Sequence, residues 1–351
     1  MQLSAEEFQR YQQQLKLYNV GVEGQLKLKN TKILCIGAGG LGSSLLLYLT
    51  AAGVGAIGVV DDDIIELSNL HRQVLYQYRH VGMSKAVIAQ KQLNALNANV
   101  DISSYLERFS SRNAKNLISQ YDIVVDCADN FTTKILANDV SYHADKPFFF
   151  TAISEFRGQS AIFQGKTTPC LRCVFPETSA TLPDCTDAGV LGVLPGMFGL
   201  IQATQIIKYI LGIDDNVADY LLTFDTLTMQ LDKYTLTSNP QCKLCVLNQI
   251  KESGNCNMID ITAETLKTRL ASDENFLLLD VRSAEEHAAA NIGGTLIPLQ
   301  ELASRVRELN SEIPIVVYCR SGARSRAAAE YLLSVGFTSV HNLKGGILGY
   351  L

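Results

Sequence analysis

Gly37, Gly39 and Gly42 stand as GxGxxG between the apolar run KILCI and the helix-patterned stretch SSLLLYLTAAG. A short apolar run, then glycines, then a 3.6-residue pattern is a strand turning directly into a helix, the βα step of a parallel sheet. The rhythm continues through AIGVVD, a helix near KAVIAQKQLNALN and the strand DIVVDCAD. It predicts an α/β fold, with a largely parallel, Rossmann-like sheet covered by helices. No fixed-period repeat and no low-complexity tract breaks the pattern.

The 351 residues leave room for a second domain. After Cys245 the pattern weakens into VLNQIKESGNCNM, and beyond it the strands NFLLLDVR and PIVVYC and the helix SRAAAEYLLSVG start a new alternation. The expected organisation is therefore a domain over 1–245, a linker over 246–258 and a small α/β domain over 259–351. A net charge of −5 with 19% charged residues gives no basic footprint for nucleic acid. The polar, acidic start MQLSAEEFQRYQQQ lacks the pattern of a signal peptide, which predicts a cytoplasmic protein. The apolar stretch GVLGVLPGMFGLIQATQIIKYILGI is interrupted by Pro195, Gln202, Gln205 and Lys208, so a buried helix is expected there, not a membrane span.

The glycine turn lets backbone approach a phosphate at a helix N-terminus, and Asp61, nineteen residues after Gly42, can bind ribose hydroxyls. That pattern suits NAD and ATP alike. Arg72 in NLHRQ adds a planar fork for phosphate oxygens. Lys85 follows Ser84, a good helix cap, and a cation at the positive end of a helix is unfavourable unless an anion lies beside it. Asp129 and Asn130 follow the strand IVVDCA at its carboxyl end, where open α/β sheets hold ligands. Asp126, inside that strand, is expected to be structural. Two cations and an acid around one glycine turn suit Mg²⁺ and a triphosphate better than a dinucleotide.

Nine cysteines in a reducing compartment point to metal ligands, nucleophiles or core residues before disulfides. Cys170 and Cys173 form one CxxC and Cys242 and Cys245 another, a ligand set for a closed, structural Zn²⁺ site that clamps distant segments. Cys35 and Cys127 are expected in the core. Cys256 falls in the linker without an assigned role.

The combination IGAGGLGS, GVGAIGVVDDD, LSNLHRQ, GMSK, DCADN, the two CxxC pairs and DCTDAGVLG resembles the MoeB/ThiF family of adenylating enzymes, relatives of ubiquitin-activating enzymes, over about residues 6–245. The resemblance implies ATP-dependent adenylation of the C-terminal glycine of a small ubiquitin-like sulfur carrier ending in Gly-Gly, by a homodimer. It places Gly40, Asp61, Ser68, Asn69, Leu70, His71, Arg72, Lys85, Asp129 and Asn130 at ATP, with Asp129 near Mg²⁺. The chemistry agrees, because carboxylate attack on the α-phosphate needs anion repulsion suppressed and the leaving pyrophosphate neutralised. The family commonly carries RYxRQ near its start, with an arginine reaching the partner's ATP; here RYQQQ puts Gln13 there, with Arg10 and Lys16 nearby. Cys185, in the loop PDCTDAGVLG, corresponds to a cysteine that in ubiquitin-activating relatives forms a thioester with the carrier or assists sulfur transfer.

Cys319 ends the run PIVVY, and the loop Arg320, Ser321, Gly322, Ala323, Arg324 leads into a helix expected near Arg326. Backbone N–H groups, a helix N-terminus and the arginines should favour thiolate, below the usual value of about 8.5. Phosphatases space their loop as CxxxxxR; here the arginine comes one residue earlier and Ser325 takes that place. The shorter loop, with LLLDVRSAEEH and NLKGGILGY, resembles a rhodanese sulfurtransferase, which implies a persulfide on Cys319. One departure is ANIGGT for the usual GHIxGA, with Asn291 in the histidine position.

Joined, the halves imply an acyl-adenylate on the carrier that persulfide sulfur converts to a thiocarboxylate, the donor being thiosulfate or a cysteine-desulfurase persulfide. Molybdopterin, thiamine, cysteine and thiolated-tRNA synthesis could each use that product. The alternative is an activator that passes its carrier through a Cys185 thioester for conjugation to proteins.

Overall fold

The computed structural model describes all residues except 1, 177–188, 214–217, 251–258, 273, 311–312, 336, 338 and 351. Cys185, Cys256 and most of the expected linker lie outside the described residues. The chain divides into two compact units, Met1–Glu252 and Ser253–Leu351.

The first unit is built on one sheet of eight strands: β1 Lys32–Ile36, β2 Ala56–Val60, β3 Asp101–Tyr105, β4 Ile123–Asp126, β5 Pro147–Ser154, β6 Arg157–Gln164, β7 Tyr220–Asp225 and β8 Gln230–Thr235. Their order is β3-β2-β1-β4-β5-β6-β7-β8, parallel from β3 to β5 and antiparallel from β5 to β8. Strand β1 shows why the centre is buried on both faces. Ile33 and Cys35 belong to one apolar cluster and Leu34 and Ile36 to another, so every residue of KILCI after the first lysine meets a core. The chain order reverses direction between β1 and β4, leaving the crevice at their carboxyl ends where ligands of such sheets bind.

The helix Gly40–Ala52 follows β1, and Val193–Leu211 packs along it. The polar row of the latter points inward. Gln202 Nε2 donates to the Phe149 carbonyl at 3.0 Å, and Gln205 Oε1 accepts from Ser160 Oγ at 2.8 Å. The apolar stretch is thus a buried helix, and among the described residues no helix is long and apolar enough to cross a membrane. The N-terminal segment, polar in sequence, forms helices Ala5–Arg10, Gln12–Leu15 and Gly21–Asn30 held by polar contacts, Gln25 Nε2 donating to the Ala52 carbonyl at 2.9 Å.

The second unit is a five-stranded parallel sheet of β9 Ile259–Ile261, β10 Leu277–Asp280, β11 Thr295–Leu296, β12 Ile315–Tyr318 and β13 Val340–Leu343, ordered β11-β10-β12-β13-β9. Central β12 again alternates, Ile315 and Val317 into one cluster and Val316 and Tyr318 into the other. Cys319 follows at its carboxyl end.

Candidate functional site

The glycine turn is first a matter of backbone packing. Gly37 has φ +96°, and a Cβ there would meet the Cys127 carbonyl oxygen at 2.7 Å, while one on Gly42 would collide with the Gly37 carbonyl. These contacts press the end of β1 against the loop after β4. The helix Gly40–Ala52 begins at an N-cap, Gly39, without a side-chain acceptor, so its leading N–H groups are left for an anion. Asp61 braces the turn, its Oδ2 accepting from the Ala38 N–H at 2.7 Å and its Oδ1 from the Asp63 N–H at 2.9 Å. Burial raises its carboxyl above the ordinary range, against the pull of those N–H groups and of Lys85.

The segment Glu66 to Tyr76 folds over this turn. Tyr76 Oη donates to the Ala38 carbonyl at 2.8 Å, and Arg72 Cγ lies 3.6 Å from where a Gly40 Cβ would stand. Arg72 Nη1 donates to the Ser68 carbonyl at 3.1 Å, and His71 Nδ1 lies 3.0 Å from the same oxygen. Asn69 is buried, its Oδ1 accepting from the Glu66 N–H at 3.2 Å, and Leu70 packs on the core. Ser68 is exposed, donating from Oγ to Glu66 Oε2 at 3.1 Å.

Ser84 caps the helix Lys85–Leu96, accepting from the Val87 N–H. The anion that a lysine in its first turn calls for is supplied by the chain. Lys85, only 6% exposed, puts Nζ 2.7 Å from Asp63 Oδ2. Sequence reasoning left Asp63 unmarked within the run DDD.

Asp129 is exposed after β4, accepting from Asn130 Nδ2 at 3.2 Å, and Asn130 Oδ1 caps the helix Phe131–His143 through the Thr133 N–H at 2.9 Å. Behind them Asp126 is wholly buried against Lys134 at 2.8 Å, whose ammonium also holds the Ala128 carbonyl at 2.6 Å. Asp126 and Lys134 therefore fix the backbone that presents Asp129. Gln13 is exposed, taking a hydrogen bond from Lys16 Nζ at 3.4 Å, and Arg10 Nη1 donates to the Leu96 carbonyl at 3.1 Å.

Cys170, Cys173, Cys242 and Cys245 bring their sulfurs within 4.8 Å of one another. The Cys170–Cys242 and Cys173–Cys245 separations are 3.5 and 3.2 Å. A tetrahedron with zinc–sulfur bonds of about 2.3 Å has edges near ~3.8 Å, so this set, with Cys170–Cys173 at 4.0 Å and the two closer pairs opening slightly, fits Zn²⁺. Removing one ligand should cost both metal and stability. For Cys242→Ser, zinc measured by plasma mass spectrometry should fall from about one per chain to near none. Thermal unfolding of the first unit should come ~5–10 °C earlier. Undiminished zinc in that variant would remove this assignment.

The sulfur loop is set by two helix starts. The helix Ala323–Ser334 begins three residues earlier than the sequence suggested, so Arg324 lies in its first turn. Gly322, at φ +96°, turns its N–H onto Cys319 Sγ at 3.1 Å. The second helix, Gly346–Tyr350, anchors the loop from behind, the Ile347 N–H donating to the Cys319 carbonyl at 2.8 Å. The motif NLKGG has its reason here: a Cβ on Gly346 would run into that carbonyl.

Burial alone would raise the Cys319 thiol, yet it lies below its ordinary value. The Ser325 hydroxyl and the N–H groups of Ser325, Ser321 and Gly322 outweigh burial. The arginines contribute less than the sequence suggested. Arg320 is exposed, and Arg324 grips Glu286 through two bonds of 2.7 Å. Asn291, which stands where the related motif carries histidine, does not reach the buried acid Asp280. His287 Nδ1 donates to buried Asp280 at 2.8 Å, alongside Arg282 at 2.7 Å, while Asn291 Oδ1 accepts from the Gly293 N–H at 3.1 Å.

Residues 11–244 match the ThiF family, two thirds of the chain. The chain belongs to the ThiF family. Residues 262–351 match the rhodanese-like domain, so a ThiF unit is followed by a rhodanese-like one. The sulfur carrier protein adenylyltransferase of Thermus thermophilus is 45% identical over 70% of this chain and 93% of its own length. The adenylyltransferase and sulfurtransferase MOCS3-1 of Zea mays is 34% identical over 98% of this chain and 81% of its own. Among solved structures, E. coli MccB with MccA-N7isoASN shares the fold, with TM-score 0.61 at 21% identity over 69% of this chain and 75% of that one.

Proposed function

We propose that residues 1–245 use ATP to adenylate the C-terminal glycine of a small ubiquitin-like sulfur carrier. Residues 259–351, joined through 246–258, deliver sulfur from a Cys319 persulfide to make its thiocarboxylate. The observation that carries this reading is the Cys319 loop: a unit that only activates a carboxylate has no need of a cysteine seated on N–H groups and a hydroxyl. The name of the Zea mays relative supports the pairing of adenylyl and sulfur transfer, and that of the Thermus thermophilus relative supports a sulfur carrier protein as the one adenylated.

On the nucleotide side, the N–H groups ahead of Gly42 and the charges of Arg72 and Lys85 receive the phosphates, and Asp61 takes the ribose. Ser68, Asn69, Leu70 and His71 shape the cover, and Asn130 sets Asp129 facing the crevice. Mg²⁺, held by Asp129, would neutralise charge on the leaving pyrophosphate. The carrier carboxylate attacks the α-phosphorus, and pyrophosphate leaves.

On the sulfur side, the outer sulfur of a persulfide stands ~2 Å beyond Cys319 Sγ, which brings it outward from a residue only 1% exposed. It attacks the acyl-adenylate carbonyl, the carbon–sulfur bond forms and AMP leaves. A thiolate then opens the sulfur–sulfur bond to Cys319, releasing the thiocarboxylate, and a further thiol reduces the disulfide left behind. Cys185, carried over from the resemblance, is one source of that first thiolate. The donor that recharges Cys319 is thiosulfate or a cysteine-desulfurase persulfide. Reduced thiols suit the cytoplasm, and homodimerisation follows the family.

The decisive experiment incubates the protein with ATP, a sulfur donor and Gly-Gly-tailed carriers, then weighs each carrier intact. One carrier should gain the difference between sulfur and oxygen. If none changes mass, the reading fails.

A further inference from the structure

Behind the sulfur loop, a chain of four hydrogen bonds leads away from Cys319. Ser325 Oγ lies 3.3 Å from Cys319 Sγ and 2.7 Å from Asn342 Oδ1. Asn342 Nδ2 in turn donates to Asp260 Oδ1 at 2.8 Å, and Asp260 Oδ2 accepts from Arg326 Nη2 at 2.7 Å. Ser325 is fully buried and Asn342 is 1% exposed, so water does not stand in for either partner.

The orientation of Asn342 follows from charge. A carboxylate only accepts, so the amide nitrogen must face Asp260 and the carbonyl oxygen must face Ser325. Asn342 therefore offers Ser325 an acceptor and nothing else. A hydroxyl has one proton, and two acceptors compete for it. With Cys319 as a thiol, the S–H donates to Ser325 Oγ, and Ser325 donates to Asn342. When the proton leaves for water, Ser325 must turn its own onto the sulfur, stripping a buried carbonyl of its partner.

We propose that Ser325 is a shared donor and that Asn342, anchored by Asp260, is a positioning residue that limits how readily Cys319 becomes a thiolate. Arg320 lies out in solvent, and the other charges around the loop are engaged: Arg324 with Glu286, Arg282 and His287 with Asp280, and Arg326 with Asp260. Short-range donors are left to decide. Such a limit has a use, because a sulfur-handling thiol works best with a pKa near ambient pH, and an over-stabilised thiolate is a poor nucleophile. The inference deepens the sulfur-transfer reading and rests on it.

The test follows iodoacetamide alkylation of Cys319 in the full chain against pH by peptide mass mapping. Ser325→Ala should raise the Cys319 midpoint by about one unit, and Ser325→Thr should restore it. Asn342→Leu should lower the midpoint by about 0.5–1 unit, so that alkylation on the acid limb, well below both midpoints, runs about three- to tenfold faster. Asp260→Asn, on the more exposed end of the chain of bonds, should act in the same direction by less. Both downward shifts should vanish in a Ser325→Ala background. Midpoints at or above wild type in the Asn342 and Asp260 variants, or shifts that persist without Ser325, would overturn the proposal. Variants that show these shifts in a protein whose wild type never makes thiocarboxylate would instead break the functional reading, so the two failures are separable.

Discussion

In Cys319→Ala, thiocarboxylate formation should fall by more than ~10³-fold while ATP–pyrophosphate exchange stays within about twofold of wild type. The substitution removes one sulfur and leaves the loop's supports in place. The hydrogen bonds from Ile347 and Leu348 to the carbonyls of Cys319 and Arg320 are backbone to backbone. Every nucleotide-side residue belongs to the other unit, Met1–Glu252. The two readouts thus separate sulfur delivery from activation. Thiocarboxylate made at wild-type rate by the variant would remove Cys319 from the chemistry. Carrier conjugated to proteins by the variant, with no loss of thiocarboxylate, would favour the Cys185 thioester route.

What the sequence disclosed, and what it did not, divides along range. The glycine turn, the two CxxC pairs and the cysteine loop are contiguous or paired motifs whose chemistry follows from their spacing. The antiparallel half of the large sheet was not read from the sequence. Strand β8, QLDKYT, is exposed along nearly its whole length and has no apolar alternation to betray it. The N-terminal helices were hidden for a related reason: buried amides such as Gln25 fasten them together with a few scattered core residues, Tyr11, Val20 and Leu28, that make no continuous apolar stripe. At the sites, the missed residues act across the chain. Asp63 reaches Lys85 over 22 positions, and Asn342 reaches Ser325 over 17. Arg324 was placed beside the sulfur by spacing, but Glu286, 38 positions away, claims its fork. The partner of buried Asp280 was likewise not legible: His287, seven positions on and outside the motif position held by Asn291, supplies it.

The Asp63–Lys85 pair also yields a test that distinguishes a structural lysine from one that handles phosphate. Lys85→Met keeps the length of the buried stem and removes the charge, and it should lower pyrophosphate exchange by ~10²–10³-fold, the scale of losing one electrostatic contact to a transferring phosphoryl group. Asp63 is 63% exposed and returns to water, so unfolding free energy should change by less than about 1 kcal/mol. Asp63→Asn breaks the same ion pair while leaving the cation. If the pair served only to hold the helix start, the two variants would lose exchange equally. If Lys85 meets the phosphates, Asp63→Asn should stay within about tenfold of wild type, because the ammonium remains at the helix start where the anion arrives. Equal losses in the two variants would reduce Lys85 to a brace for the turn and leave Arg72 as the cation on which activation depends.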